Sequence, residues 1–434
     1  MEPKQLFVYR KEAGQVKTTG DSTELFKVVA VQNALKTTIK HTPRPELKRE
    51  TVALEEGLGR FLADDIVSQE KVPPFDRSTM DGYAVRSKDS FGATEGNPAY
   101  LKLLGRIPMG AASSAGVGSG EALAISTGGA LPAGADAVVM VEHTNMLDKN
   151  TLEVLKAVAP GENVVKAGED IDIGEFVLSR GHRLRAQDLG ALAALGENRV
   201  PVYEPLKVGI LSSGDEIVDA GDKPAPGQVR DINYYTLSGM IRQSGAEPVR
   251  LGICPDNAEA LREMLGAGVR ECQMLITTGG SSVGVADMMP KILKELGEPG
   301  VLVHGVSLKP GKPALIAVVE GIPIFGLPGH PLSALDIYRL LVDPVMEYMY
   351  RGDAALERVR PHVMAKIGRS IASAAGREDR VRVILEKRGD ELWAQPVLGK
   401  SGLISLAVRS TGVAVIPYEA EGVENGDEIV VELF

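Results

Sequence analysis

Three short glycine-containing segments of this sequence have the residue types needed to bind a phosphate and a metal ion. They are residues 212–216 (SSGDE), 277–287 (TTGGSSVGVAD) and 327–331 (LPGHP). Glycine allows a tight turn with bare backbone N–H groups, and a neighbouring carboxylate can hold a hard cation or position a water. Each segment alone is more typical of an ordinary turn or helix cap. All three together indicate a site for a phosphate-bearing ligand and a divalent cation.

Positive charge for such a ligand is concentrated in one further segment. Lys309 and Lys312 lie in the sequence KPGKP, directly after the apolar run VLVHGVSL. A lysine acts as a point charge for a phosphate or an oxyanion, and the prolines reduce the entropy lost when the turn becomes ordered. Solvated surface lysines are the alternative reading of this segment. We predict an anion-binding turn.

Other kinds of catalytic site are not indicated by the sequence. It contains no GxxxxGK(S/T), HExxH or GxSxG motif, and its six histidines are scattered. Cys254 and Cys272 are the only cysteines and have no zinc or redox spacing, so we interpret them as buried, reduced thiols. Any metal is therefore predicted to be a hard cation on Asp and Glu oxygens.

The elements that must position these segments alternate between strand-like and helical patterns from residue 206 to 350. The apolar runs KVGIL, PVRLGI, QMLITT, ALIAVV and IPIFGL are separated by helical stretches. Asp231 is a predicted helix cap, and Gly245 and Gly297 are predicted helix ends. This pattern predicts a doubly wound α/β domain, in which ligands bind beyond the carboxyl ends of the strands. The three glycine segments follow three of these strands.

The remaining sequence predicts a helical or mixed scaffold and two β domains. Apolar residues recur at helical spacing from Val28 to Ile39, and a second helical stretch is predicted through Leu54, Leu58 and Phe61. A helix from Ala186 to Leu195 returns the chain to this scaffold. The predicted units are an extension at 1–24, a discontinuous scaffold at 25–71 and 161–205, a small β domain at 72–160, the α/β domain at 206–350 and a C-terminal β domain at 355–434.

Length and charge exclude some classes of partner. The chain has 434 residues, enough for several cores, and a formal net charge of −10. This charge gives no overall positive field for nucleic acid or an anionic membrane. No uninterrupted apolar run reaches about 18 residues and the N-terminus lacks the pattern of a secretory signal, so a cytoplasmic location is expected.

Seven segments resemble one known family. Residues 72–84 (VPPFDRSTMDGYA) are similar to the signature of the molybdopterin molybdenumtransferases, a family that includes the E domain of gephyrin. The other matching segments occur in the same order and spacing, at 126–129, 168–170, 213–216, 279–284, 309–313 and 327–331. The resemblance extends from about residue 25 to the C-terminus.

This resemblance implies an architecture and a reaction. The expected fold is an elongated homodimer of four-domain subunits, with a cleft between the α/β domain of one subunit and the small β domain of the other. The expected reaction takes adenylylated molybdopterin and molybdate and yields molybdenum cofactor and AMP, assisted by Mg²⁺. A molybdopterin adenylyltransferase is an implied partner.

The resemblance also transfers roles to residues of this sequence. The expected catalytic residues are Asp81, Asp170, Glu216, Asp256 and Asp287, of which Glu216 and Asp287 are the expected metal ligands. The expected substrate-binding residues are Ser78, Thr127, Ser213, Gly214, Gly279, Gly280, Ser282, Lys309, Lys312, Pro328, His330 and Pro331.

The sequence departs from the family pattern at a few positions. His330 replaces the usual Asn, and Arg77, Thr79 and Gly129 also differ. A histidine at 330 can still hydrogen-bond an oxyanion, so the substitution is either neutral or changes the preferred oxyanion, for example to tungstate. A tungsten-preferring paralogue is therefore one alternative function.

Two further alternatives remain open at this point. Molybdopterin adenylyltransferases share the α/β domain and its GG loop but lack the flanking domains. A non-catalytic scaffold like the E domain of gephyrin would keep the fold without the reaction. The acidic residues favour an enzyme over a scaffold.

Overall fold

The computed structural model describes residues 28–111, 113–279, 283–357 and 359–434, without the side chains of 283–287 and 356–357. The predicted extension at 1–24 lies outside the described residues. Eight α-helices occur in the described part of the chain. They are α1 Val31–His41, α2 Ala186–Ala194, α3 Ile232–Gln243, α4 Ala258–Glu271, α5 Val283–Leu296, α6 Pro331–Ile337, α7 Asp343–Arg351 and α8 Ile404–Arg409.

The α/β domain is built on a six-stranded sheet at the predicted positions. Four neighbouring strands are parallel. Leu315–Val319 runs against them, because a tight turn at Glu320 and Gly321, both with positive φ, joins it to Ile322–Leu327 as a hairpin, and Pro299–His304 pairs antiparallel with it at the edge. The strand order is Glu247–Cys254, Lys207–Ser213, Met274–Gly279, Ile322–Leu327, Leu315–Val319 and Pro299–His304.

Helices cover both faces of this sheet. One apolar core contains Leu237 of α3, Ile337 of α6 and Val345 of α7, and the other contains Leu265 of α4 and Leu293 of α5. Parallel strands covered on both faces are apolar along their whole length, which explains the continuous apolar runs in the sequence. The domain therefore has the three layers of a doubly wound fold.

Two details of the predicted scaffold are wrong. Helix α1 packs on the α/β domain, because Ala34 and Ile39 belong to the same core as α3 and α7. The predicted helix through Leu54, Leu58 and Phe61 is only the 3-10 turn Leu54–Gly57. Gly57 and Gly59 interrupt the predicted helical stretch. Gly59 has φ +77°, a backbone conformation that does not occur inside an α-helix.

The scaffold is instead held by short antiparallel pairs between distant segments. Arg49–Ala53 pairs with Arg199–Tyr203, and Ile66–Val67 pairs with Phe176–Leu178. Helix α2 lies where predicted and ends before Gly196 with φ +79°. The chain thus leaves and re-enters this unit on either side of the small β domain.

The small β domain contains a six-stranded sheet with its own apolar core. The strand order is Ala137–Met140, Gly82–Val85, Glu121–Ile125, Ala99–Arg106, Thr151–Val154 and Thr144–Met146. Its connection to the scaffold contains the pair Arg77–Ser78 and Val164–Val165.

The C-terminal β domain is a closed barrel, because Glu378–Arg388 and Gly412–Ile416, at opposite ends of the strand order, also pair with each other. The strand order around the barrel is Glu378–Arg388, Glu391–Pro396, His362–Ile367, Glu428–Leu433 and Gly412–Ile416. Leu308–Lys309, from the α/β domain, pairs with the first of these strands. Two short strand pairs lie outside the large sheets. Ile217–Val218 pairs with Val229–Arg230 in the α/β domain, and Ile371–Ala372 pairs with Gly422–Val423 in the C-terminal domain.

In the described part of the chain, none of the helices combines the length and the apolar character needed to cross a membrane.

Candidate functional site

Backbone segments approach closely at the carboxyl edge of the α/β sheet. Gly279 has φ +100°, and a methyl group added there would overlap the carbonyl group of Ser213. A methyl group added at Gly329 would lie 3.5 Å from Gly279 Cα. Only glycine at position 279 allows this packing. The ends of three strands are thereby brought together, as predicted from the glycine segments.

Carboxylates lie beside this contact. Glu216 and Asp256 are exposed, and the Asp256 backbone N–H donates to Asp215 Oδ1 at 3.0 Å. Gly214 has φ +140°, and a methyl group there would lie 2.6 Å from Glu216 Oε2, so glycine lets this carboxylate fold back over the turn. Burial raises the pKa of the neighbouring Cys254 thiol, and the charges of Asp256 and Asp215 raise it further. These carboxylates therefore form one negatively charged group.

Of the two predicted metal ligands, Glu216 has a described side chain, and it is exposed. Among the residues that the structure describes, no group of three His, Cys, Asp or Glu side chains is arranged to hold a metal. Mg²⁺, however, is usually held by one or two carboxylates together with waters and substrate phosphates. The exposed Glu216 supplies such a carboxylate. The side chain of Asp287 and the residues Gly280 and Ser282 lie outside what the structure describes.

Sequence reasoning missed a set of buried polar residues at the start of α3. Asp231 was predicted only as a helix cap, and its side chain does accept from the Tyr234 N–H at 3.1 Å. It also accepts from Ser212 Oγ at 2.6 Å. Asn233 Nδ2 donates to Thr278 Oγ1 at 2.7 Å and to the Gly329 carbonyl at 2.9 Å. Helix α3 is thus connected to three strand ends. The sequence signal that could have revealed these contacts was the presence of two polar residues, Asp231 and Asn233, at the start of the helix.

The predicted residues of the small β domain form a second group. The exposed Asp81 carboxylate accepts from the Thr127 backbone N–H at 2.9 Å and from Thr127 Oγ1 at 3.3 Å. Asp170 is also exposed. The Ser78 hydroxyl is buried and donates to the Met80 carbonyl at 2.6 Å, so it stabilises the turn of the signature segment. Asp81 and Thr127 are therefore the pair at this surface available to a ligand.

Asp76 of the same signature segment holds the small β domain against its connection. It accepts from the Ala167 N–H and from Lys166 Nζ, each at 2.9 Å. These hydrogen bonds, together with the charge of Lys166, lower the pKa of Asp76. The residue is ionised at neutral pH and fixes the loop that carries Asp170.

One of the two predicted anion-binding lysines, Lys309, contacts the C-terminal β domain. Lys309 Nζ lies 3.2 Å from Asp379 Oδ2, and Arg377 Nε donates to Asp379 Oδ1 at 2.8 Å. Lys309 stays 57% exposed although Asp379 is buried, and Lys312 is exposed. Two cations around one carboxylate leave a net positive charge. Sequence reasoning missed Asp379 and Arg377, which lie about 70 residues away from Lys309 in the chain.

His330 is connected to the same domain. Its Nδ1 lies 2.9 Å from Ser401 Oγ, and the Leu332 N–H donates to the Ser401 carbonyl at 3.2 Å. Pro328 and Pro331 are buried on either side, and Pro331 begins helix α6. The C-terminal domain therefore completes the surroundings of both Lys309 and His330.

A buried ion-pair network fixes this domain to the α/β domain. Asp336 of α6 is fully buried and lies 2.9 Å from Arg382 Nη1 and 3.4 Å from Arg380 Nε. Arg380 also pairs with Glu378 and Glu432. The network holds the strand that carries Asp379, and so positions the partner of Lys309.

The two predicted halves of the site belong to different sheets. Asp81 and Thr127 lie on the small β domain, whereas Glu216, Asp256 and Gly279 lie at the edge of the α/β sheet. A shared cleft therefore requires these two domains to face each other. Together, the fold and the site define a multidomain protein whose doubly wound α/β domain groups glycines, carboxylates and buried polar side chains at the carboxyl edge of its sheet.

Comparison with known proteins identifies the family. Residues 29–196 match the MoeA N-terminal region (domain I and II), residues 209–348 a probable molybdopterin binding domain, and residues 364–434 the MoeA C-terminal region (domain IV). The chain is 34% identical to the molybdopterin molybdenumtransferase of Haemophilus influenzae over 388 residues, which is 89% of this chain and 94% of the relative. It is 32% identical to that of Bacillus subtilis over 391 residues, 88% and 89% of the two chains.

Solved structures agree with this assignment. The structure matches a crystal structure of a molybdopterin biosynthesis MoeA protein from Pyrococcus horikoshii with 32% identity and a TM-score of 0.80, covering 94% of this chain and 100% of that one. A second structure of such a protein from the same organism matches with 36% identity and a TM-score of 0.73, covering 94% and 99%. The chain belongs to the molybdopterin molybdenumtransferase family.

Proposed function

We propose that this chain inserts molybdenum from molybdate into adenylylated molybdopterin, producing molybdenum cofactor and AMP. Membership in the family makes the chain a transferase of molybdenum cofactor biosynthesis. The observation that carries the detailed reaction is the carboxyl edge of the α/β sheet, where exposed Glu216 and Asp256 lie beside the close approach of Gly279 to Ser213. That arrangement suits a pyrophosphate and a cation bound together.

Each side chain of the α/β edge has a role that follows from its position. Glu216 and Asp287 would hold Mg²⁺, which supplies positive charge to neutralise the pyrophosphate. Asp256 orients a water toward the phosphate, since it is exposed next to Asp215. The glycine backbone at Gly214 and Gly279 lets the phosphates approach closely. These groups favour release of AMP at this edge.

The oxyanion side uses the lysine turn at 309–313 and His330, which lie next to the C-terminal domain at Lys309 and His330. Lys309 and Lys312 attract molybdate and stabilise negative charge as its oxygens are displaced by the dithiolene sulfurs. Asp379 pairs with both Lys309 and Arg377, so it orients Lys309 while its single charge balances only one of the two cations. His330, held by Ser401 and flanked by Pro328 and Pro331, shapes the pocket for the oxyanion.

The second half of the site comes from the small β domain. We assign Asp81 and Thr127 of the small β domain and Asp170 of the adjoining connection to the substrate, because all three are exposed and the Asp170 N–H donates to the carbonyl of Val72 in the signature segment. In the proposed homodimer, this surface faces the α/β edge of the partner subunit. The enzyme acts in the cytoplasm and receives its substrate from a molybdopterin adenylyltransferase.

The test is an activity assay with a matched pair of variants. Purified protein is incubated with adenylylated molybdopterin, Mg²⁺ and either molybdate or tungstate, and AMP release and reconstitution of an apo-molybdoenzyme are measured. We expect release that depends on the oxyanion and is lost in Glu216→Ala. Glu263→Ala, an exposed acidic residue on α4, serves as the control. A folded protein that releases no AMP with either oxyanion would exclude the transferase and favour a scaffold.

A further inference from the structure

The contact between Gly279 and Gly329 is bordered by two polar side chains with unused hydrogen-bonding groups. A methyl group added at Gly279 would lie 3.3 Å from Ser213 Oγ, and Asn233 Nδ2 donates to the Gly329 carbonyl. Ser213 is 2% exposed and Asn233 is 7% exposed. Both therefore lie at the edge where the predicted ligand segments meet, and both are more than nine-tenths buried.

Among the residues that the structure describes, Ser213 Oγ and Asn233 Oδ1 have no hydrogen-bond partner. Buried polar groups in folded proteins almost always have one, and a buried group without one is unfavourable. The orientation of the Asn233 amide is fixed, because the Gly329 carbonyl can accept only from its nitrogen. Two such groups around one glycine contact indicate that a ligand provides their partner.

The type of atom that can fill this role follows from the amide oxygen. Asn233 Oδ1 only accepts hydrogen bonds, so the ligand atom must be a donor. Molybdate and pyrophosphate oxygens are acceptors at neutral pH and cannot be that partner. The pterin and adenine rings of the proposed substrate both carry N–H donors next to ring nitrogens. The Ser213 hydroxyl can donate or accept, and so can bind a neighbouring ring atom.

We infer that Asn233 Oδ1 and Ser213 Oγ bind the N–H edge of an amino-heterocycle, either the pterin or the adenine ring. This inference rests on the proposed function for the identity of the two rings. It assigns Asn233 two roles, since Nδ2 holds two strand ends together while Oδ1 contacts the substrate. A site in which a buried acceptor pairs with an N–H group of the ligand rejects rings that lack this N–H group.

Ser213→Ala and Asn233→Ala, each in the full chain, test the inference. We expect KM for adenylylated molybdopterin to rise about tenfold in each, the loss typical of one hydrogen bond, with a much smaller change in kcat. Ser213→Ala should melt at the wild-type temperature or above it, because its hydroxyl bonds nothing in the protein. Ser238→Ala is the control, since Ser238 is equally buried on α3 but accepts from Arg242 at 2.6 Å. It should melt lower and keep the wild-type KM.

Calorimetry with AMP and with neopterin locates the ring. Weaker binding of neopterin alone in both variants places the pterin at Asn233, and weaker binding of AMP alone places the adenine there. An equal loss of affinity for ribose 5-phosphate would overturn the inference, because the donor would then be a hydroxyl group. Wild-type KM and affinities in both variants would also overturn it, while leaving the proposed function intact if the wild-type protein releases AMP.

Discussion

Two groups of carboxylates in this protein differ in how their charge is compensated. Asp336, between α6 and the C-terminal β domain, is fully buried and paired with Arg380 and Arg382. Glu216, at the carboxyl edge of the α/β sheet, is exposed. A buried charge must find its partners inside the chain, because removing it from water is expensive. An exposed charge stays available to a cation or a substrate.

Under the proposed function, this difference separates residues that position the site from residues that act in it. The Asp336 network holds the strand of Asp379, and Asp379 contacts Lys309. Variants in the network should therefore change stability more than activity, and variants at the sheet edge should change activity more than stability.

The largest expected effect is on stability, in Asp336→Ala. Removing this carboxylate leaves two buried guanidinium groups without it, and we expect a loss of about 3–5 kcal/mol in the free energy of unfolding. Calorimetric and denaturant unfolding measure the loss. An unchanged melting temperature would show that the network does not hold the two domains together.

Glu216→Gln is expected to reverse this pattern. The side chain keeps its size and is exposed, so stability should stay within about 0.5 kcal/mol of the wild type. AMP release should fall about 100-fold, the effect typical of removing one group that stabilises charge in a transition state. If the melting temperature fell and activity were retained, Glu216 would belong with the structural carboxylates.

Glu432→Gln tests how the buried network depends on pH. Burial raises the pKa of Glu432, but its hydrogen bond with Arg380 and the nearby guanidinium charges outweigh this and lower the pKa overall. A carboxyl group with a lowered folded-state pKa stabilises the fold above its unfolded pKa, and this stability is lost as the pH falls through the folded pKa. We expect the wild type to be more stable by about 1–2 kcal/mol at pH 7.

This advantage of the wild type over Glu432→Gln should shrink as the pH falls below 4.5, the ordinary pKa of a glutamate carboxyl, toward the lowered pKa of Glu432 in the folded state. Urea unfolding of both proteins between pH 7 and pH 3 measures it. A constant difference across that range would contradict the assignment.

The smallest effect is expected from His330→Asn, because both residues are polar and His330 is exposed. Loss of the contact with Ser401 should change KM for the oxyanion about threefold, with little change in stability. The ratio of rates with molybdate and tungstate is the measurement. Ser401→Ala breaks the same contact from the other side. If the two variants changed the ratio of rates in opposite directions, the histidine would act independently of its contact with Ser401.

Much of the fold could be read from local pattern. The continuous apolar runs predicted the parallel strands, since a strand covered on both faces has no polar side. Asp231 and Gly245 marked the ends of α3, and both are where the sequence placed them. The antiparallel edge was missed, because a short apolar run does not show the direction of its neighbour.

The candidate site divides in the same way. Gly214, Glu216 and Gly279 were predicted from their positions after strands, and Asp81 and Thr127 from the family resemblance. Their proximity at each surface follows from the structure. Asn233 was missed because its partners, Thr278 and Gly329, are 45 and 96 residues away.

The sequence by itself determined the strands and their turns, the acidic and glycine residues at the strand ends, and the family. Tertiary structure alone decided that α1 packs on the α/β domain, that Asp379 holds Lys309, and that Ser401 reaches His330. The reason is physical. Periodicity and turn chemistry depend on neighbouring residues, whereas these contacts depend on which distant surfaces bury each other, and local sequence contains no record of that pairing.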